Sequence, residues 1–244
     1  MEAKIPPNLQ LGADPEFEVY DLDGKFVNAL DALWEYRIQN SRMTTYVDYE
    51  RSEVGLDGFS MIGELRPDPA KEWETVYSNI KRLITVCMPI YFPKDKYRIY
   101  AGSGKTYPCG GHIHISGIDA TDFLIRLLDE WITLPLNNIS NICVRSVTPY
   151  GKTGQIKWRD EGHWEYRSPL SWIINPIVVK GVLCLTHVLT RIGVGERIES
   201  AIDVLRFTLP IEKIILLDYW KHLEAMRTFG HTLESVELYK AWGV

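Results

Sequence analysis

Four short stretches of this chain place acids, imidazoles and guanidiniums on every second residue, and that alternation constrains the fold more than any other feature. In the first, Asp14, Glu16 and Glu18 share one side, opposite Phe17 and Val19; in the second, Ile62, Glu64 and Arg66 do. In the third, His112, His114 and Ser116 oppose Ile113 and Ile115. In the fourth, His163, Glu165 and Arg167 oppose Trp164 and Tyr166. Side chains two apart on an extended strand lie about 6.5–7 Å apart on the same side. The pattern therefore predicts a sheet with one apolar face for helices and one face crowded with ionisable groups. Solvated antiparallel faces ordinarily carry Thr, Lys, Ser and Glu. Paired histidines, and arginines on alternate strands, point to a site instead.

The rest of the chain supplies the helices. The first strand runs about Leu9 to Tyr20 and turns at Asp23-Gly24; a second runs about Phe59 to Arg66 and stops at Pro67. Asp68-Pro69 reads as an N-cap followed by proline at the first helical position. From there Trp73, Val76, Tyr77, Ile80, Leu83, Ile84 and Cys87 keep helical spacing to Pro89. Tyr97 to Ala101 reads as a strand and Thr121 to Ile132 as a helix. From Asn175 the pattern is helical, with breaks near Gly193, Pro210 and Gly230. Strands first and helices last predict an α+β fold. Without repeats or a Ser/Gly linker, residues 1–244 read as a single domain: a sheet region of about 9–170 and a helical part of about 171–244.

Lys and Arg number 27 against 32 Asp and Glu, a net charge of −5, which lacks the basic footprint of a nucleic-acid binder. The most apolar stretch, Ile173 to Leu189, is broken by Asn175, Pro176, Lys180 and His187, so it predicts a buried helix and no membrane span. Cys87, Cys109, Cys143 and Cys184 form no CxxC pair, and the opening MEAKIPPNLQ is too polar for a signal peptide. Together these predict reduced thiols and a cytoplasmic protein. Nothing in the sequence supports an oligomer.

Ala101-Gly-Ser-Gly-Lys-Thr106 invites a phosphate-loop reading but fails it. The motif needs glycine where Ile99 stands and a helix starting at the lysine, where Tyr107-Pro108 follows. A hairpin turn, or a Gly/Lys loop beside a site, is expected instead. The basic stretch Gly151 to Arg159 is expected either to close on phosphate or to be an exposed hairpin. Cys109 has no orienting partner that would make it a nucleophile with His112. His187, His222, Tyr219, Trp220, Tyr239 and Trp242 are expected in packing. On the polar face, carboxylates with histidine suit Mg²⁺ or Mn²⁺ better than zinc. Arginines beside a carboxylate-held divalent ion indicate a polyanion such as nucleotide phosphates.

At these residues the sequence resembles the glutamine synthetase-like carboxylate–amine ligases, above all the phage-type COOH–NH2 ligases of type 2. Gly12-Ala-Asp-Pro-Glu-Phe17, Gly63-Glu-Leu-Arg-Pro67, Gly111-His-Ile-His-Ile-Ser116 and Glu165-Tyr-Arg-Ser-Pro169 are similar to the family's motifs and stand in the family's order. The resemblance implies a curved, mainly antiparallel sheet with helices on one face, and ATP with two or three Mg²⁺ or Mn²⁺ ions on the other. It implies Asp14, Glu16, Glu64, His112 and Glu165 as metal ligands and His114 on the nucleotide phosphates. Arg167 is implied on phosphate or substrate carboxylate, with Arg66 and Arg159 as further anion-binding groups and Asp57 as a further acid. Two departures stand out: Asp14 where Glu is commoner, and a chain much shorter than glutamine synthetase.

The chemistry fits these groups. A carboxylate acylates poorly until ATP converts it to an acyl phosphate, and metals and arginines neutralise the charge that develops. An amine then attacks, giving an amide, so the expected partners are a small-molecule or peptide carboxylate and an amine. Two other readings use the same face: a metal-dependent hydrolase activating water, and a non-catalytic phage or structural protein that keeps the fold.

Overall fold

The first alternating stretch folds as one long strand, and the sheet is assembled along it. The computed structural model describes residues 6–40, 53–58, 61–139, 149–160, 162–230 and 235–244. In it β1 (Gln10–Asp21) lies at the centre. The other strands are β2 (Phe26–Val27), β3 (Val54–Leu56), β4 (Gly63–Leu65), β5 (Tyr97–Ala101), β6 (Gly111–Ser116), β7 (Ile156–Asp160), β8 (His163–Tyr166) and β9 (Val236–Glu237). The main order is β3-β4-β1-β6-β8-β7; β2 and β5 also pair with β1, and β9 with β5. Among the described residues every strand pairing is antiparallel.

The register explains why the polar positions converge. Asp14 lies opposite His112, Gly12 opposite His114, His114 opposite Glu165, and Glu16 opposite Glu64. Directly opposed residues point to the same side of a sheet. β5 and β6 follow one another along β1: Tyr97–Tyr100 face Asp21–Glu18, and Gly111–Ser116 face Pro15–Gln10. Residues 102–110 therefore loop out between two stretches that both pair with β1, and do not form a hairpin turn. Downstream, the stretch expected as one basic turn is divided, with β7 taking residues 156–160 and carrying Arg159 into the sheet.

Three other expectations shift. The helix expected from Asp68 begins at Trp73, with Glu72 as N-cap. Ala70 is held back because it exchanges two backbone hydrogen bonds with Leu11, at 2.8 and 2.9 Å. The second strand is only Gly63–Leu65; Phe59 and Ser60, expected in it, lie outside the described residues, as does Cys143. The helices that begin at Trp73 and Asp122 each run on through a proline. A π-turn, Leu83–Cys87, precedes Pro89, and another, Asp129–Thr133, precedes Pro135. Proline donates no N–H and crowds the preceding turn; the extra residue of a π-turn accommodates it.

The apolar face is covered by these helices and by α6 (Pro176–Leu189), numbered after the short pieces Ala29–Asn40 (α1), Trp73–Arg82 (α2), Met88–Tyr91 (α3), Asp122–Leu128 (α4) and Leu134–Asn137 (α5). Asn175 caps α6 by accepting from Ile177 N and Val178 N, both at 3.0 Å. From Val178 to Leu189 every residue of α6 except Lys180 is buried. A Cβ on its Gly181 would stand 2.2 Å from the Tyr219 ring, so glycine is what lets α8 (Pro210–Thr228) pack closely. The remaining helices are α7 (Ala201–Leu205) and α9 (Leu238–Trp242). Tyr219, Tyr239 and Trp242 are core, and Trp220 packs against it. Among the described residues no helix is long and apolar enough to cross a membrane.

Candidate active site

The polar face opens into a cavity of about 510 Å³. Asp14, Asp57, Glu64 and Glu165 line it together with Arg66, Lys157, Arg159 and Arg167, and with His112, His114 and His163. The face is thus divided between an acidic floor and basic walls. Of the residues singled out in the sequence, Asp14, Glu64, Arg66, His112, His114, Arg159, Glu165 and Arg167 meet here. Glu16 is not among the cavity-lining residues. It sits behind His112, where its Oε2 accepts from Gly110 N at 2.5 Å and its Oε1 from the Tyr150 hydroxyl at 2.6 Å.

The strongest clue to a ligand is what the buried acids lack. Glu165 is 0% exposed and Asp14 9%. His112 Nδ1 stands 3.1 Å from both Asp14 Oδ1 and Glu165 Oε1, and Arg159 Nη2 stands 2.5 Å from Glu165 Oε2. Yet Asp14 Oδ1 and both Glu165 oxygens accept no well-directed hydrogen bond. Buried carboxylate oxygens whose ion pairs are poorly directed are costly, and a divalent cation would satisfy them. Asp14, His114 and Glu165 each bring one ligand atom to within 4.8 Å of the others. This oxygen-rich set with one imidazole fits Mg²⁺ or Mn²⁺. The imidazole in that set is His114, expected on phosphate, while His112 lies between the two acids.

The electrostatics agree. Burial pushes Glu16 up to about 7; His112 pulls it back and Asp57 adds to the rise. Burial and then the neighbouring Asp14 charge push Glu64 well above the usual carboxylate range, against the pull of Arg66. Burial works against ionisation of Asp14 too, but His112 and His114 hold it below that range. For His112 burial opposes the charged form, and Asp14, Glu16 and Glu165 outweigh it and raise the pKa. Repulsion among these acids is what a bound divalent ion relieves.

Two residues in or near the site serve as struts. Arg66 Nε pairs with Glu64 Oε1 at 2.8 Å, and its Nη2 donates to the Leu56 carbonyl, tying β4 to β3. Glu18, from the same alternating stretch as Asp14, never reaches the cavity. Its carboxylate accepts from the backbone N–H groups of Lys105, Thr106 and Tyr107 at 2.7, 2.7 and 2.8 Å. The Gly-Ser-Gly-Lys-Thr loop does cradle an anion, and that anion is the protein's own Glu18. Elsewhere Cys109 Sγ donates to the Tyr107 carbonyl at 3.8 Å.

Sequence reasoning passed over Tyr150, Lys157 and His163 as site residues. His163 Nε2 lies 2.9 Å from His114 Nδ1, and His114 Nε2 lies 2.9 Å from Asp14 Oδ2. Alternation with Glu165 was the available signal for His163. Lys157 becomes visible only once β7 is seen to pair with β8, since it stands opposite Glu165. Tyr150 has no signal at all, because it comes from a turn outside every motif.

The chain thus combines an antiparallel sheet with acids, histidines and arginines gathered in one cavity and helices packed on an apolar core. Residues 11–194, well over half of the chain, match the model of the family described as phage phiEco32-like COOH.NH2 ligase-type 2, and the chain belongs to that family. Among solved structures it is similar to a bifunctional glutathione synthetase from Pasteurella multocida, with a TM-score of 0.52 and 12% identity. That match covers 98% of this chain and 46% of the other, so this chain spans about half of that enzyme's length. It is also similar to a ligand-free GmaS, with a TM-score of 0.48, 17% identity, and 92% of this chain and 65% of that one covered. No curated protein matches the sequence.

Proposed function

We propose that the protein is an ATP- and Mg²⁺- or Mn²⁺-dependent ligase that joins a carboxylate to an amine through an acyl phosphate. The observation that carries this is the convergence of buried Asp14 and Glu165 with His114, one ligand atom of each within 4.8 Å of the others, beside the guanidinium groups of Arg159 and Arg167. Asp14 and Glu165 would hold one divalent ion with His114 and His112 as the imidazoles beside them; Glu64, with Glu16 behind, would serve a second or third. Bound there, the ions supply charge neutralisation on the β- and γ-phosphate oxygens. Arg159 and Arg167, both beside Glu165, bind the transferring phosphoryl group and later the tetrahedral oxyanion. His114 is held in place beside the ion by Asp14 and His163. Lys157 adds positive charge at the mouth. The residues act as one catalytic domain of a cytoplasmic protein, on small-molecule or peptide substrates and not on nucleic acid.

Calorimetric titration with ATP, with Mg²⁺ and then with excess chelator, tests the reading. Binding only with Mg²⁺ is expected, because the acidic floor repels a bare triphosphate. Equal affinity in chelator overturns it. With candidate acids and amines supplied, ion-exchange chromatography should find ADP and phosphate, since attack at the γ-phosphorus leaves the α-phosphorus untouched. AMP and pyrophosphate would overturn the acyl-phosphate route even if an amide formed.

A further inference from the structure

The hydroxyl of Tyr150 stands where no motif residue does, between two groups of the site. It donates to Glu16 Oε1 at 2.6 Å and lies 2.7 Å from His112 Nε2. Its ring lies 5.9 Å from the Arg167 guanidinium and packs edge-on to His112 at 5.9 Å. A hydroxyl has one proton to give. With that proton on Glu16, the oxygen offers His112 Nε2 a lone pair, which an N–H there satisfies. The other ring nitrogen, Nδ1, is the one 3.1 Å from Asp14 Oδ1 and Glu165 Oε1.

We propose that Tyr150 is a positioning residue that keeps the proton of His112 on Nε2, so that Nδ1 presents its lone pair to the divalent ion held between Asp14 and Glu165. The inference rests on the metal reading above and adds the atom through which His112 acts. It also accounts for Gly110. A Cβ there would meet His112 Nε2 at 2.6 Å and the Tyr150 hydroxyl at 2.7 Å, so any larger residue would part the two. The Gly110 N–H meanwhile fixes the second oxygen of Glu16, leaving Oε1 aimed at the tyrosine. Partners that fix a ligand's tautomer in this way are worth about 10–100-fold in metal affinity.

The test compares the full chain with its Tyr150→Phe variant, which removes one oxygen and keeps the ring. Mn²⁺ affinity, read by electron paramagnetic resonance of the free ion, is expected to fall about 10–100-fold. The metal-free melting midpoint is expected to stay close to that of the wild type. In the Mg²⁺-loaded wild type, ¹⁵N spectra of the histidine rings should show His112 protonated at Nε2 and bare at Nδ1, and Tyr150→Phe should lose the slowly exchanging Nε2 proton. Unchanged Mn²⁺ affinity, or a wild-type His112 without a proton on Nε2, overturns the proposal. So does a melting midpoint that falls enough to explain the lost affinity, which would make Tyr150 merely structural. A wild type that takes up no Mn²⁺ sinks the metal reading and this proposal with it, whereas a wild type and a Tyr150→Phe variant that bind Mn²⁺ equally well sink this proposal alone.

Discussion

Glu165 makes the sharpest case at the scale of single residues. It is fully buried beside Arg159, Arg167 and His112, and its oxygens accept no directed hydrogen bond. Glu165→Gln keeps the shape and removes the charge, so Mn²⁺ binding and ADP release should be abolished while circular dichroism stays native. Loss of the fold would return Glu165 to a structural role. Arg167→Ala should slow turnover by at least about tenfold, since a charge-assisted contact is worth roughly 1.5–3 kcal/mol; an unchanged kcat/KM would remove it from the reaction. Glu18→Gln is the counterpart away from the cavity. It replaces a carboxylate that gathers three backbone amides, so unfolding in urea should show a loss of roughly 1.5–3 kcal/mol with Mn²⁺ affinity intact. A change in Mn²⁺ affinity at constant stability would tie the loop to the site.

Among the elements, α6 and α8 show how far a buried charge can govern packing. Glu212 of α8 accepts from Arg191 Nη2 at 2.6 Å, lies 3.1 Å from His187 Nδ1, and accepts from Leu209 N at 2.7 Å. Burial would raise its pKa, but His187 and Arg191 outweigh burial and hold it below the usual carboxylate range. A depressed carboxyl stabilises the fold above its unfolded value, about 4.3, and that contribution is lost as pH falls through the folded value. The wild-type melting midpoint should therefore drop more steeply between about pH 5 and 3 than that of Glu212→Gln. Parallel curves would show that the carboxylate does not hold the helices together. The sequence could only suggest that His187 packs; its partner lies 25 residues on, across a helix pair.

Over the whole molecule, the question is how a chain acidic overall would bind the polyanion proposed for it. The net charge is −5, yet Arg66, Lys157, Arg159 and Arg167 all line one cavity. The proposed metal ions would turn the acidic floor from a repulsive surface into an attractive one. Melting the protein with Mg²⁺, with ATP, and with both should give a shift for the pair larger than the sum of the separate shifts, because each ligand neutralises what repels the other. Additive shifts would mean that the two bind independently.

Much of this was legible in residue order. Period-two alternation on four stretches is a local property, and it determined which faces are polar and which acids and histidines belong together. It did not determine where each strand stops or what each charged group touches. Asp68-Pro69 reads as a helix start, and the backbone pairing of Ala70 with Leu11 delays it. Glu18 shares the period of Asp14, and only the looping of residues 102–110 between β5 and β6 turns it away to bind amides. Tyr150 has no periodic neighbour to mark it, and it and Lys157 enter the site because a turn and an edge strand fold over it. Alternation fixes the side on which a group lies; its partner is fixed by contacts between segments far apart in the chain, and those exist only in the folded protein.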